Sequence, residues 1–245
     1  MATDLENIEK LLARFKRQIP EGKHYQKRLV EEFELILNLR FTDYFLQICD
    51  IIDLTTDLTH MTRGSAGSSL ICYLLGITDV DPIKWKIPVA RFMNPLRDDL
   101  PDVDIDFEHW RQHDVMNRIF KKWPGMTARL SNYVTYKPKS ARREAAKRLG
   151  ATGRLPRGFT YESVGVDPTE AKRIERKLLG KKRAISKHCG GIVMFTRKLP
   201  KSLISEDNQI LLDKHEVEDL EHLKVDILAN RGLSQLLEID PHTAL

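Results

Sequence analysis

The sequence contains no apolar run near the roughly 20 consecutive residues that a membrane-spanning helix needs, so we expect no membrane partner. The N-terminus is acidic and amphipathic, unlike the apolar core of a signal peptide. Only three cysteines occur, far apart at Cys49, Cys72 and Cys189, which predicts free thiols in a reducing compartment. Internal repeats and low-complexity tracts are also missing. Together these features predict a cytoplasmic protein.

The composition is that of a globular chain with a basic balance. With 245 residues, of which 41% are hydrophobic and 31% charged, the chain is long enough for one or two domains with a buried core. Its net charge of +5 points towards a polyanionic partner such as nucleic acid. An excess of this size is also common in ordinary proteins, so charge alone assigns no function.

Apolar spacing predicts the first elements of the chain. Helices over 4–18 and 25–39 would each place apolar residues on a single face. The strongly apolar segment 43–54 is compatible with strand or helix, and we interpret it as a strand leading into a helix. A further helix is predicted over 110–122.

The rest of the chain contains strands around a basic segment. Alternation of acidic and apolar residues predicts a strand over 101–107, and strand-like runs follow at 188–195, 210–217 and 222–229. Between them, 126–185 is basic, has few strong hydrophobes and predicts a small appended helical subdomain. This order of elements predicts an α+β fold with a mixed or antiparallel sheet.

The strand at 101–107 carries three carboxylates on one face. Side chains alternate along a strand, so Asp102, Asp104 and Asp106 project together while the apolar residues between them face a core. Three close carboxylates repel one another unless cations neutralise them, and magnesium prefers such oxygen ligands. A solvated acidic face on an edge strand is the alternative explanation.

A second acidic strand lies downstream. In the segment HLKVDIL, Asp226 shares a strand face with Lys224, while the apolar residues share the other. An aspartate among apolar neighbours is costly to bury alone, and a metal site completed from the first strand would explain it. A salt bridge to Lys187 or Lys224 is the alternative. Two magnesium ions held by shared aspartates are the usual arrangement for nucleotidyl transfer.

A loop of small residues, RGSAGSS at 63–69, precedes an apolar run. Small residues let backbone N–H groups approach an anion, and a following helix N-terminus adds a favourable dipole. The loop lacks the lysine and spacing of a Walker A motif and is not the G-x-S-x-G of a serine hydrolase. A simple helix cap is the alternative explanation.

These segments resemble the palm of the alpha subunit of bacterial DNA polymerase III, a C-family polymerase. The resemblance covers roughly residues 25–235 and follows the family's order. Its motifs here are RGSAGSSLICYLLGITDVDP, ARFMNPLRDDLPDVDIDF, SKHCGGIVMF and LLDKHEVEDLEHLKVDILANRGL. The resemblance implies a polymerase-beta-like nucleotidyltransferase palm with a small helical thumb-like insert.

The resemblance also implies roles for individual residues. The catalytic, metal-binding aspartates would be Asp102, Asp104 and Asp226, with Asp106 as a supporting acid in the site of two Mg²⁺ ions. The triphosphate of the incoming nucleotide would meet five residues: Gly64, Ser65, Arg91, Arg97 and Lys224. The thumb-like segment would contact DNA phosphates through Arg142, Arg143, Lys147 and Arg148, although a solvated helix face explains these four equally well.

The implied organisation is an extension, a palm in two parts, an insert and a tail. The extension is 1–24, and the two palm parts are 25–125 and 186–235. The insert is 126–185, and the tail is 236–245. The implied activity is template-directed addition of deoxynucleoside triphosphates to a DNA primer. The family's phosphoesterase-type domain and fingers have no counterpart in the resemblance, so we expect a split or minimal form with a second chain supplying the fingers, in the host cytoplasm if a phage encodes it. A catalytically inactive DNA-binding or assembly subunit is the alternative.

Overall fold

Helices surround a single sheet in the computed structural model, which describes residues 2–96, 103–212, 216–217 and 222–239. The first four helices precede the acidic strand: α1 Ala2–Leu12, α2 Lys23–Asn38, α3 Thr42–Asp53 and α4 Leu70–Leu74. The later four are α5 Gln112–Lys122, α6 Pro138–Arg148, α7 Pro168–Leu178 and α8 Arg231–Ile239. No helix in these ranges has both the length and the apolar character needed to cross a membrane.

Within the described ranges, five strands form one mixed sheet in the order β1-β2-β5-β4-β3. Their bounds are β1 His60–Arg63, β2 Val103–Glu108, β3 Thr127–Thr135, β4 Lys182–Phe195 and β5 His222–Asn230. The central pair β2 and β5 is parallel, and the other neighbours are antiparallel. The predicted α+β class with a mixed sheet is confirmed, and it is consistent with a nucleotidyltransferase palm.

The main core covers one face of this sheet. The apolar residues that alternate with the acids on β2 and β5 are almost fully buried, and they pack against α2, α3 and α5: Val103, Ile105, Phe107, Val225 and Ile227. Burying each such side chain contributes about 1.5–3 kcal/mol, which favours turning the apolar residues to this face and the acids to the opposite one. The core therefore sets which face of the two strands presents aspartates.

The prediction of a strand within 43–54 is wrong, because α3 is helical throughout. The side chains buried on α3 follow a helical repeat of three and four residues: Tyr44, Phe45, Ile48, Cys49, Ile51 and Ile52. Isoleucine and aromatic residues favour strands locally, but this broad buried face overrides that preference. The strand predicted at 210–217 is not among the five: Ile210 makes a single bridge to Ile204, and 213–215 lie outside the described residues.

The helical insert is shorter than predicted. Residues 127–135 form β3 and pair with β4, so the sheet extends into both ends of the 126–185 segment. The helical part lies between these strands, where α6 and α7 pack around a small core that includes Ala145, Phe159 and Tyr161. The division into palm, insert and tail stays a prediction.

Candidate active site

Asp104 and Asp226 lie directly opposite each other on the parallel strands β2 and β5. Adjacent strands are about 4.8 Å apart, and residues in register project from the same face, so the two carboxylates are neighbours. The geometric condition for a shared cation site is therefore met by these two aspartates. The third predicted ligand, Asp102, lies outside the described residues, as does Arg97.

Asp226 has one carboxylate oxygen with no hydrogen-bond donor. Its side chain is 15% exposed, Oδ2 lies 3.8 Å from the Lys224 Nζ atom, and Oδ1 is buried without a partner. The His188 Nδ1 atom lies 3.5 Å from Oδ1. A buried charged oxygen without a donor is unfavourable by about 1–3 kcal/mol or more. A divalent cation would satisfy it, so these residues fit magnesium.

The Gly64–Ser68 turn, a short 3₁₀ helix, lies against the acidic pair. Gly64 has a φ of +77°, and a Cβ atom there would stand 3.4 Å from the Asp104 Oδ2 atom. The left-handed backbone conformation at residue 64 therefore favours glycine, and the missing side chain lets the turn lie close to the Asp104 carboxylate. Ser65 follows in the same turn. Exposed Arg91 lies on the Val89–Arg91 turn, which contacts the Gly64–Ser68 turn.

The N-terminus of α4 is capped by protein groups. The buried Glu32 carboxylate accepts hydrogen bonds from Leu70 N at 2.8 Å, Ile71 N at 3.0 Å and the Ser69 hydroxyl at 2.7 Å. Arg28 Nε donates to the same carboxylate at 2.6 Å. Burial raises the pKa of Glu32, and these donors oppose that rise. Glu32 therefore occupies the first N–H groups of α4, while nucleotide binding by Gly64 and Ser65 stays a prediction.

Asp106 is held within the protein. Its Oδ1 atom accepts from Arg63 Nε at 2.9 Å, and Oδ2 accepts from Asn230 Nδ2 at 2.7 Å. The side chain is only 2% exposed, whereas that of Arg63 is 55% exposed. Asn230 also caps α8 by accepting from Leu233 N at 3.0 Å. These contacts favour a structural role for Asp106 that fixes β1, β2 and α8 around the site.

A bulge in β4 lies next to Asp226. Arg129 pairs with Ile192 and Ser131 with Lys187, so residues 188–191 stand opposite the single residue Leu130. Inside the bulge, a Cβ atom at Gly190 would lie 2.6 Å from the Ile227 carbonyl oxygen, and one at Gly191 would lie 3.1 Å from the Asp226 Oδ1 atom. The two glycines therefore allow β4 to approach the carboxylate closely.

Sequence reasoning missed three residues of this site: Arg63, His188 and Asn230. Each lies within a motif of the family resemblance, which was a usable signal, but their contacts depend on strands that meet only in the folded chain. Within the described ranges, no group of three or more His, Cys, Asp and Glu is arranged to hold a metal. Asp104, Asp106 and Asp226 are the described members of the predicted ligand set, and both Asp106 carboxylate oxygens already accept hydrogen bonds from Arg63 and Asn230.

The four predicted DNA-contacting residues lie on α6 in different environments. Arg142 stacks on aromatic rings, with its guanidinium carbon 5.1 Å from the Phe159 ring centre and 5.4 Å from that of Tyr161. Arg148 pairs with Glu144 at 3.0 Å. Arg143 and Lys147 are exposed. Both line a groove with Arg154 and Arg157, which we call the basic groove.

The sequence matches a known protein family over most of its length. The family model described as the bacterial DNA polymerase III alpha NTPase domain matches residues 5–229. The chain belongs to this family. The matched range contains Asp104, Asp226, the Gly64–Ser68 turn and the helical insert, so the predicted family resemblance is confirmed.

Relatives of this DNA polymerase III alpha family chain include three bacterial proteins. The chain is 33% identical over 253 residues to the error-prone DNA polymerase of Burkholderia mallei, covering 90% of the chain and 24% of that relative. It is 29% identical over 267 residues to the error-prone DNA polymerase of Saccharophagus degradans, covering 96% and 26%. It is 32% identical over 240 residues to error-prone DNA polymerase 2 of Rhizobium meliloti, covering 86% and 22%. The chain thus spans about a quarter of the length of these relatives.

Proposed function

We propose that this chain is the catalytic palm of a DNA polymerase that adds deoxynucleotides to a primer 3′ end under direction of a template. The observation that carries the proposal is the register of Asp104 against Asp226, with the Gly64 turn alongside. The donor-free Asp226 Oδ1 atom supports it, because a chain that kept the fold without the chemistry would have no reason to retain this unfavourable oxygen. An inactive assembly subunit is therefore the weaker candidate.

The proposal assigns each described residue a task. Asp104 and Asp226, with Asp102, would hold two magnesium ions, which when bound would neutralise phosphate charge and lower the pKa of the attacking hydroxyl. Lys224 lies on the same strand face and would add positive charge near the triphosphate. Arg91, with Arg97, would grip phosphate oxygens through paired N–H groups.

The Gly64–Ser68 turn would supply backbone contacts to the nucleotide. Gly64 brings the turn against Asp104, so a nucleotide held at Gly64 and Ser65 would meet the acids directly. The Arg63–Asp106–Asn230 network ties the start of this turn to β2 and to the end of β5. The network would thereby keep the turn and the two acidic strands in fixed relation, which is the positioning that nucleotidyl transfer requires.

The basic groove is the proposed DNA contact of the thumb-like insert. Arg143, Lys147, Arg154 and Arg157 are exposed and line a continuous surface formed by α6 and the loop that follows it. Exposed arginine and lysine on one surface bind phosphates without recognising sequence. Arg142 would act indirectly, since its stacking on Phe159 holds α6 against that loop.

The double substitution of Arg143 and Lys147 by glutamine is expected to weaken duplex DNA binding. It should also reduce the slope of log affinity against log salt concentration by about 2, because each lost phosphate contact removes about 0.9 from that slope. A salt titration of the binding constant measures this. The matched control is Arg173→Gln, which removes an exposed cation paired with Glu170 on α7. An unchanged slope in the double variant would exclude the basic groove from the DNA interface.

Primer extension by the purified 245-residue chain tests the proposed activity. We expect magnesium-dependent incorporation opposite a template, either by the chain alone or after addition of a second polypeptide that supplies the fingers. Omitting magnesium should abolish incorporation, since the aspartate carboxylates and the triphosphate are all negatively charged and repel one another without the cations. If neither condition gives extension and magnesium leaves the melting temperature unchanged, the polymerase proposal fails and an inactive DNA-binding subunit becomes the better explanation.

A further inference from the structure

We infer that His188 is a positioning residue that holds the β4 bulge so that Asp226 keeps its Oδ1 atom for a cation. The inference rests on the proposed function and adds a residue to its site. His188 is the first residue of the bulge that faces Leu130. Its Nδ1 atom lies between two groups, 2.7 Å from the Gly191 amide nitrogen and 3.5 Å from the Asp226 Oδ1 atom.

The shorter of these two contacts determines which nitrogen of the His188 imidazole carries the hydrogen. The Gly191 N–H donates to the His188 Nδ1 atom at 2.7 Å, and an atom that accepts a hydrogen bond carries no proton. The ring hydrogen is therefore on Nε2, and Nδ1 cannot donate to the Asp226 carboxylate. This explains why Asp226 Oδ1 is buried without a donor although an imidazole lies 3.5 Å away.

The same contact also engages a backbone donor beside the carboxylate. Gly191 is the register partner of Asp226 across β4 and β5. By accepting the Gly191 N–H, His188 keeps that group from turning towards Oδ1 and weakening its affinity for a cation. The turn within residues 188–191 is tight, since a Cβ atom at Gly191 would lie 2.7 Å from the His188 Nδ1 atom.

The backbone of the bulge is fixed from outside as well. Gln112 Nε2 donates to the Ile227 carbonyl at 2.7 Å and to the Cys189 carbonyl at 3.1 Å, which links β4 to β5 next to the acid. Arg129 donates to the His188 carbonyl at 3.1 Å. His188 thus holds the bulge through both its carbonyl and its ring, and Gln112 holds it through the Cys189 carbonyl. Groups of this kind that orient a ligand typically change metal affinity or activity 10–100-fold when they are replaced.

The test compares three substitutions in the 245-residue chain. His188→Ala removes the acceptor, His188→Asn places an amide oxygen near the position of Nδ1, and His113→Ala removes an exposed histidine from α5 as the control. The first measurement is the magnesium concentration that gives half of the maximal rise in melting temperature. We expect it to increase at least about tenfold in His188→Ala and to stay near the wild-type value in His188→Asn and His113→Ala.

A second measurement does not depend on metal or activity. In the ¹⁵N spectrum of histidine-labelled protein without magnesium, His188 should show the Nε2–H tautomer, identified as the signal lost in His188→Asn. The Nδ1–H tautomer would overturn the inference directly, even if His188→Ala failed to fold. A wild-type chain that responds to magnesium, with His188→Ala responding equally, would overturn the role of His188 alone. A wild-type chain that ignores magnesium would overturn the proposed function and, with it, this inference.

Discussion

Asp226→Asn is expected to lower magnesium-dependent primer extension by at least about 10³-fold while leaving the fold intact. The substitution keeps the shape of the side chain but removes its charge, and the charge stabilisation that a bound metal provides is worth several kcal/mol, with about 1.4 kcal/mol for each tenfold in rate. Asp226 is opposite Asp104 in the sheet, so the substitution removes the charge of one of the carboxylates that the proposal assigns to the metal ions. Single-turnover extension rates at saturating magnesium measure the effect.

The matched control is Asp207→Asn. Asp207 is 71% exposed and pairs with Lys187 at 2.9 Å, so its replacement also removes one aspartate charge but leaves the candidate active site untouched. Exposed pairs of this kind contribute about 1 kcal/mol or less to stability, and we expect wild-type extension rates. Equal rates for Asp226→Asn and wild type would show that the chemistry is performed elsewhere, and the assignment of Asp104 and Asp226 would have to be abandoned.

Glu32→Ala is expected to lower the free energy of unfolding by about 3–5 kcal/mol, the usual effect of removing one partner from a buried ion pair. The Glu32 side chain is fully buried, and its loss leaves Arg28 and the N–H groups of Leu70 and Ile71 without their acceptor. The unpaired N–H groups add to the cost because they cannot reach water. Urea unfolding followed by circular dichroism measures the change.

The neighbouring Glu31→Ala provides the control for this prediction. Glu31 is exposed on the same helix, so its replacement carries the same change in helix propensity and net charge, and we expect a change within about 0.5 kcal/mol. A similar small change for Glu32→Ala would mean that α4 begins without the Glu32 cap. The end of that helix would then be available to an anion, contrary to the contacts described above.

Glu32 also bears on how the nucleotide is held. Because its carboxylate occupies the start of α4, nucleotide phosphates would be bound by the Gly64–Ser68 turn and by cations rather than by a helix dipole. Arg28 reinforces this arrangement by donating to the Ser68 carbonyl at 2.6 Å, at the end of the turn. The cap and the turn are thus one connected structure, and damage to the cap is expected to displace the Gly64–Ser68 turn.

The amino-acid sequence by itself determined the features that depend on local periodicity and on family motifs. Acids alternate with apolar residues over 103–107, and the same alternation around Asp226 predicted which face of each strand would be buried. Both results follow from the two-residue repeat of a strand, which needs no knowledge of its neighbours. The ordered motifs also identified the family.

Only the tertiary structure decided which segments meet. The parallel pairing that brings Asp104 to Asp226, the Glu32 cap on α4 and the contact of His188 with Gly191 all join residues through backbone geometry that no local pattern encodes. The helical form of α3 was decided in the same way, because burial of one broad face outweighed a local preference for strand. Packing energies of several kcal/mol exceed propensities of a few tenths of a kcal/mol per residue, so the fold settles what the local sequence leaves open.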